Sequence, residues 1–176
     1  MSAPERFTWA VEIMDVQPTD RVLEIGCGHG IAAELVCECL TTGTITAIDR
    51  SEKMAELARS RNRGNIDSGK AVIETADLLT HPPPAARFDK IFLYNLNVFW
   101  MDPADELAAI KRLLAPSGKF YIFHRPPPGG DAREYAVEFE KNLTKYGLTV
   151  IETEFNDSPE VNSVCIISEY SSTIPR

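Results

Sequence analysis

Strands alternating with helices along most of the chain predict an α/β protein with a doubly wound, mostly parallel sheet of seven strands. Three observations predict it. Short apolar runs recur between segments of helical period. A glycine cluster follows the first of these runs directly. The last two runs are joined by a polar loop too short for a helical crossover, which makes them an antiparallel C-terminal pair.

Taken in order, residues 4–15 place Phe7, Val11 and Met14 at helical spacing, and Pro18, Thr19 and Asp20 turn the chain. Residues 21–26 form the first strand. A helix over 31–40 carries Leu35, Val36 and Cys39, and 44–49 is a β-branched second strand. Ser51 is placed to cap a helix to about Asn62, with Met54, Leu57 and Ala58 inward. Glycine and polar residues make 64–69 a loop, followed by a third strand over 71–76. The prolines at 82–84 exclude helix or central strand, and His81 before them is expected at the surface. The fourth strand is 88–94. Pro103 opens a helix whose buried side is Leu107, Ile110, Leu113 and Leu114. Pro116, Ser117 and Gly118 stop it ahead of a fifth strand over 119–123. Prolines and glycines over 126–130 form a rigid irregular segment, and 131–145 is a helix with Tyr135, Phe139 and Leu143 on one stripe. Strands over 149–155 and 162–170 complete the chain.

The 176 residues, 44% hydrophobic and 25% charged, suit one soluble domain spanning 1–176. A net charge of −8 repels phosphate backbones and counts against a broad nucleic-acid surface. Arg59, Arg61 and Arg63 gather at a helix end, where cations complement the dipole better than they make a phosphate site. Cys27, Cys37, Cys39 and Cys165 lack metal-ligand or paired-motif spacing, so no metal site is expected. Neither a signal segment nor an apolar run of roughly 18–20 residues is present, and a cytoplasmic protein without membrane contact is expected. Oligomeric state is left open.

In an open parallel sheet, ligands bind beyond the carboxyl ends of the strands where the strand order reverses. The segment there is Glu24-Ile25-Gly26-Cys27-Gly28-His29-Gly30. A dinucleotide fingerprint starting at Gly26 requires its third glycine at 31, which is Ile31. The pattern is instead E-x-G-x-G-x-G, and it resembles the first motif of the class I S-adenosylmethionine-dependent methyltransferases. Further likenesses follow in order. Asp49 and then Arg50 end the second strand, where the family places an acid on the ribose hydroxyls, a task suited to a two-oxygen acceptor. Asp77 resembles the adenine-contacting acid, with Leu78 beside it to cover the ring, although Asp77 could equally turn the chain. The run Phe88-Asp89-Lys90-Ile91 and the run Leu113 to Lys119 match looser motifs, with Ser117 where the family usually has glycine. The resemblance covers roughly 20–170. It implies a Rossmann-like fold with an N-terminal helix over 1–20, a cofactor-binding core over 21–125, and a helix with the antiparallel pair over 126–176. The cofactor it implies is S-adenosylmethionine, held by Glu24, Gly26, Cys27, Gly28, Gly30, Asp49, Arg50, Asp77, Leu78 and Asn95.

Methyl transfer from a sulfonium needs alignment above all, and a base only for a weakly nucleophilic acceptor. Asn95, after the fourth strand, can hydrogen-bond near the sulfonium without adding charge. His124, ending the fifth, is either the base or a strand-end histidine satisfied by its neighbours. His29 faces the cofactor or solvent. Phe99, Trp100 and Met101 line an acceptor pocket or merely pack, and Phe7 and Trp9 form a lid or pack on the sheet. The absence of the two prolines of amino-group nucleic-acid methyltransferases after Asn95 disfavours that chemistry. The expected function is methyl transfer to a small-molecule acceptor. The alternatives are a protein or RNA acceptor, or a cofactor-binding regulatory subunit.

Overall fold

The computed structural model describes residues 3–82, 84–96 and 102–170. Seven strands, β1 (Arg21–Ile25), β2 (Thr44–Asp49), β3 (Ala71–Thr75), β4 (Phe88–Tyr94), β5 (Leu114–His124), β6 (Thr149–Asn156) and β7 (Ser163–Glu169), form one sheet in the order β3-β2-β1-β4-β5-β7-β6. β7 runs antiparallel to both neighbours, β5 and β6. Only β7 is reversed, because β6, antiparallel to β7, points the same way as the first five strands. The strand order reverses between β1 and β4, which places a crevice beyond their carboxyl ends.

Alternation along the strands divides the core in two. Helices α5 (Ala104–Leu113) and α6 (Ala132–Lys145) cover the face formed by Leu23, Ile91, Leu93, Phe120 and Ile122. Helices α1 (Glu5–Met14), α2 (Ile31–Cys39) and α3 (Glu52–Arg61) cover the face of Val22, Ile45, Phe92, Tyr121 and Phe123. Phe7 and Trp9 pack on this second face, their rings 5.4 Å from Tyr94 and 5.7 Å from Phe123. At the opposite edge from the crevice, Asp89 accepts from the Arg21 backbone N–H at 2.8 Å and pairs with its guanidinium at 3.2 Å, tying the starts of β1 and β4 together.

Four local expectations need correction. Residues 115–118 do not stop α5 ahead of a separate strand. They bulge within β5, whose Leu114 pairs with Phe88 and whose Lys119 already pairs with Lys90. Gly118 permits this, since a Cβ there would lie 2.9 Å from the Phe88 carbonyl oxygen. The stretch expected as a loop over 64–69 begins with a short helix, α4 (Arg63–Asp67), in which Asn65 donates to Asn62 at 3.2 Å. On α3 it is Ala55 and Ala58 that are buried, while Leu57 is 42% exposed. Small side chains let α3 approach the glycine loop, and leucine faces out. His81 is buried, its Nδ1 donating to the Pro82 carbonyl at 3.0 Å and its Nε2 lying 3.2 Å from Glu74 on β3, which holds the ring against the sheet.

Candidate functional site

The three glycines after β1 do different work. Gly26 and Cys27 both donate their backbone N–H to the Ile48 carbonyl, at 2.8 and 3.0 Å, which bends β1 toward the end of β2. Gly26, at φ +75°, forms floor: a Cβ there would lie 2.8 Å from the Leu96 side chain. Gly28, at φ +51°, has nothing within 4 Å of the same position, so its surface is open to an approaching ligand. Gly30 is a packing glycine, whose Cβ would meet the Ala58 backbone at 3.0 Å and the Asn62 amide at 2.7 Å. Asn62, only 1% exposed, donates to the Gly30 carbonyl at 2.9 Å and clamps the loop. Arg61 adds a bond to the His29 carbonyl at 3.1 Å while pairing with Glu34 at 3.0 Å, and Arg59 pairs with Glu52 at 2.6 Å. Arg59 and Arg61 are thus structural cations.

Asp49 joins two turns. One oxygen accepts the Gly28 N–H and the other the Ser51 N–H, both at 2.9 Å. Each carboxylate oxygen accepts two bonds, so one position per oxygen is left for a ligand. Beneath it, Glu24 is fully buried, and one of its oxygens has no hydrogen-bond partner among the described residues. Burial pushes its pKa up to about 8, with a hydrogen bond from the Ala33 N–H opposing and the Asp49 charge adding. Burial also pushes the Cys27 thiol up to about 12, with Glu24 and Asp49 contributing. Its side chain lies in the core on the α2 side of the sheet, so any ligand contact from Cys27 is through backbone.

A cavity of about 500 Å³ occupies the crevice. Gly26, Asp49, Arg50, Asp77, Leu78 and Asn95 line it together with residues not anticipated: Ile25, Ile48, Ala76, Leu79, Tyr94, Leu96 and Glu106. Gly28 and Gly30 do not line it, and neither does Glu24 or Cys27. Asp77 turns the chain by accepting the Leu79 N–H at 2.8 Å, and its other oxygen lies 3.8 Å from the Arg50 guanidinium. The Arg50 side chain is 82% exposed, at the cavity rim. Three carboxylates, Asp49, Asp77 and Glu106, against one arginine make the lining net acidic. The residues fit an adenosyl sulfonium: apolar walls for a base, an acid with spare acceptor positions for hydroxyls, and negative charge for a cation.

Asn95 occupies the left-handed region at φ +56°. Its N–H donates to the Phe123 carbonyl at 3.0 Å, and its Oδ1 accepts the Arg125 N–H at 2.7 Å. The amide NH₂ is therefore the group it can offer a ligand. His124 sits elsewhere, 4% exposed between β5 and α6, its ring 4.4 Å from Tyr135 and 5.5 Å from Phe139. Burial lowers its pKa to about 4, and it does not line the cavity. Tyr94 lies closer to the site. Ser163 donates to the Val161 carbonyl at 2.8 Å, so the Tyr94 hydroxyl, 2.7 Å from Ser163, is the donor between the two. Burial raises its pKa, and the phenol keeps its proton. Phe99, Trp100 and Met101 lie outside the described residues. No described helix is long and apolar enough to cross a membrane.

With this geometry in place, similarity to known proteins is informative. The family model described as a methyltransferase domain matches residues 22–118, more than half of the chain and the whole run from β1 into β5. The chain is 27% identical over 170 residues to the uncharacterised methyltransferase YdaC of Bacillus subtilis, covering 94% of this chain and 91% of that protein. It is 31% identical to protein-L-isoaspartate O-methyltransferase 1 of Archaeoglobus fulgidus, covering 86% and 73%. A SAM-dependent methyltransferase from Aquifex aeolicus superposes with a TM-score of 0.75 at 18% identity, covering 92% and 88%, and shares the fold. The chain belongs to the methyltransferase-domain family.

Proposed function

Starting from that membership, we propose that the chain is a class I enzyme that uses S-adenosylmethionine to methylate a small-molecule acceptor in the cytoplasm, with 1–176 acting as one domain. The observation that carries the reading is the acidic cavity at the strand-order reversal, which Gly26, Asp49, Asp77 and Asn95 line together. NAD chemistry lacks comparable support, since Ile31 opens α2 where the third fingerprint glycine belongs.

Asp49 would take the ribose hydroxyls, using the acceptor positions its two backbone bonds leave. Leu78 and Leu79 would flank the base, and Asp77 would accept its exocyclic amine. Glu106 and Asp49 would favour the positively charged methionine end. When bound, S-adenosylmethionine supplies an electrophilic methyl group on a sulfonium, transferred by in-line displacement to an aligned nucleophile. Asn95 contributes an uncharged NH₂ donor at the mouth of the cavity, which can orient an acceptor oxygen without competing for the methyl group. Alignment by Asn95 and the charge of the lining are the contributions assigned to protein groups, with no general base invoked.

Calorimetric titration with S-adenosylmethionine, S-adenosylhomocysteine and NAD tests the reading. The two adenosyl ligands are expected to bind and NAD not to, and Asp49→Ala is expected to weaken adenosyl binding by roughly 100-fold. Binding of NAD alone, or no adenosyl binding, overturns the cofactor assignment. A regulatory subunit would bind the adenosyl ligands yet form no S-adenosylhomocysteine with any small hydroxylated or carboxylated acceptor.

A further inference from the structure

A second cavity, of about 430 Å³, adjoins the first through their one common lining residue, Asn95. Its other walls are Arg125, the three prolines 126–128 and Asn162. The construction is unusual in two respects. Among the described residues only three other than glycine have positive φ, and two of them, Asn95 at +56° and Asn162 at +36°, are in this wall. Such conformations are costly and persist where the surroundings enforce them, which is why they gather at ligand sites. The proline wall is stiff as well: Pro126 is buried, the Gly130 N–H closes a turn on the Pro127 carbonyl at 2.9 Å, and Gly129 takes the positive φ, +84°, that a turn led by Pro128 requires.

The charge in the cavity is that of Arg125. In a chain of net charge −8, this half-buried guanidinium forms no ion pair with any described carboxylate. Its one side-chain hydrogen bond among those residues runs from Nη2 to the Pro159 carbonyl at 3.2 Å, which leaves most of its five donors unspent. Arg6, on the first turn of α1, lies on the same side: the charges of both arginines act on the Tyr94 hydroxyl. Prolines 126–128 have no backbone N–H, so the wall supplies no nest of amide donors such as phosphate dianions commonly occupy. One planar fork beside a proline wall without backbone amide donors matches a monoanion with two coplanar oxygens.

Building on the methyltransferase reading, we infer that the cavity beside Asn95 is the acceptor subsite and that Arg125 anchors a carboxylate of a small acceptor, making Arg125 a specificity-determining residue. The carboxylate pairs with the guanidinium at the proline wall, and the rest of the acceptor extends past Asn95 toward the adenosyl cavity.

Ligand-observed NMR on the intact protein, with and without S-adenosylhomocysteine, tests this with benzoate, 4-hydroxybenzoate and hexanoate, each paired with its primary amide. At least one acid is expected to bind roughly tenfold more tightly than its amide. That preference is expected to vanish in Arg125→Gln, to return in part in Arg125→Lys, and to be unchanged in Arg63→Gln on α4. Amide shifts at Asn95, Arg125 and Asn162 should accompany binding. No acid preferred over its amide, or a preference that survives Arg125→Gln, overturns the assignment even if S-adenosylhomocysteine binds normally. Acid binding that depends on Arg125 in a protein that binds no S-adenosylhomocysteine would keep the anion site while refuting the cofactor reading. Arg125→Gln retains the backbone N–H that Asn95 accepts, and an unchanged S-adenosylhomocysteine affinity would report that its fold is intact.

Discussion

The strand ends on either side of the order reversal solve the same problem differently. Beyond β1 the chain turns on glycines at positive φ, with Asp49 at the end of β2 bridging two backbone N–H groups. Beyond β4, and again ahead of β7, it turns on asparagines at positive φ, and prolines 126–128 close the wall between them. Glycine leaves backbone bare, which suits a ligand that must come close to the main chain. Asparagine tolerates the same region while keeping a side chain for use. The first half is thus built for a ligand of fixed shape, and the second for one that must be oriented by side chains.

The largest effect that would break this comparison lies within the glycine half itself. Gly30→Ala adds a Cβ at positive φ against the Ala58 backbone and the Asn62 clamp, and should cost about 3 kcal/mol of stability. Gly28→Ala has open space and should cost about 1 kcal/mol, for φ alone, yet it should impair adenosyl binding more than its stability loss accounts for. Urea denaturation with parallel ligand titrations measures both. Equal stability losses would mean that Gly28 and Gly30 are interchangeable turn residues.

In each half burial also favours the neutral form of one group that ordinarily titrates below pH 7, Glu24 and His124, and the linkage signs oppose. Glu24 unfolded ionises near 4.5 but keeps its proton to about 8 when folded, so stability is lost as pH rises from about 4.5 to about 8. His124 unfolded binds a proton below about 6.5 but, folded, only near 4, so stability is lost as pH falls from about 6.5 to about 4. Between about 4.5 and 6.5 the two slopes offset each other, and above that range Glu24 acts alone. The unfolding free energy should stay nearly level between about pH 5 and 6.5 and then decline to pH 8 by on the order of 1–2 kcal/mol, with the thermal midpoint falling in step. Glu24→Gln should abolish the decline, and His124→Gln should start it near pH 5. A wild-type midpoint that does not fall above pH 6.5 would show Glu24 charged in the folded protein.

How far these features could be read from sequence depends on what positions each residue. β2 and β4 were legible to the residue, because β-branched or aromatic runs there end at Asp49 and at the Tyr94–Asn95 turn. The turn after β1 was legible because glycine spacing is itself the local geometry, and Gly26, Gly28 and Gly30 all take positive φ. Sequence alone leaves His124 open between base and strand-end histidine although a deciding signal is present: it shares strand parity with Phe120 and Ile122, which face α6, and period two sends its ring to the same side. Residues 115–118 have turn composition, and only pairing with β4 makes them a bulge. Leu57 was assigned inward by size, whereas the close approach of α3 to Gly30 selects alanine. Leu96 and Glu106 reach the cavity through tertiary packing, to which no local pattern points.

The smallest expected effect separates backbone room from side-chain use in the second half. At φ +56°, Asn95→Gly removes backbone strain but also the oxygen that accepts the Arg125 N–H, and the two changes should offset to within about 0.5 kcal/mol. Asn95→Ala keeps the strain and loses the bond, and should be about 1–2 kcal/mol less stable than wild type. Methyl transfer should nevertheless fall by a similar factor in both, because each lacks the NH₂ that orients the acceptor. Near-wild-type turnover in Asn95→Gly would make that side chain dispensable. The acceptor half would then be, like the glycine half, a matter of backbone room alone, and Arg125 would have to position the acceptor unaided.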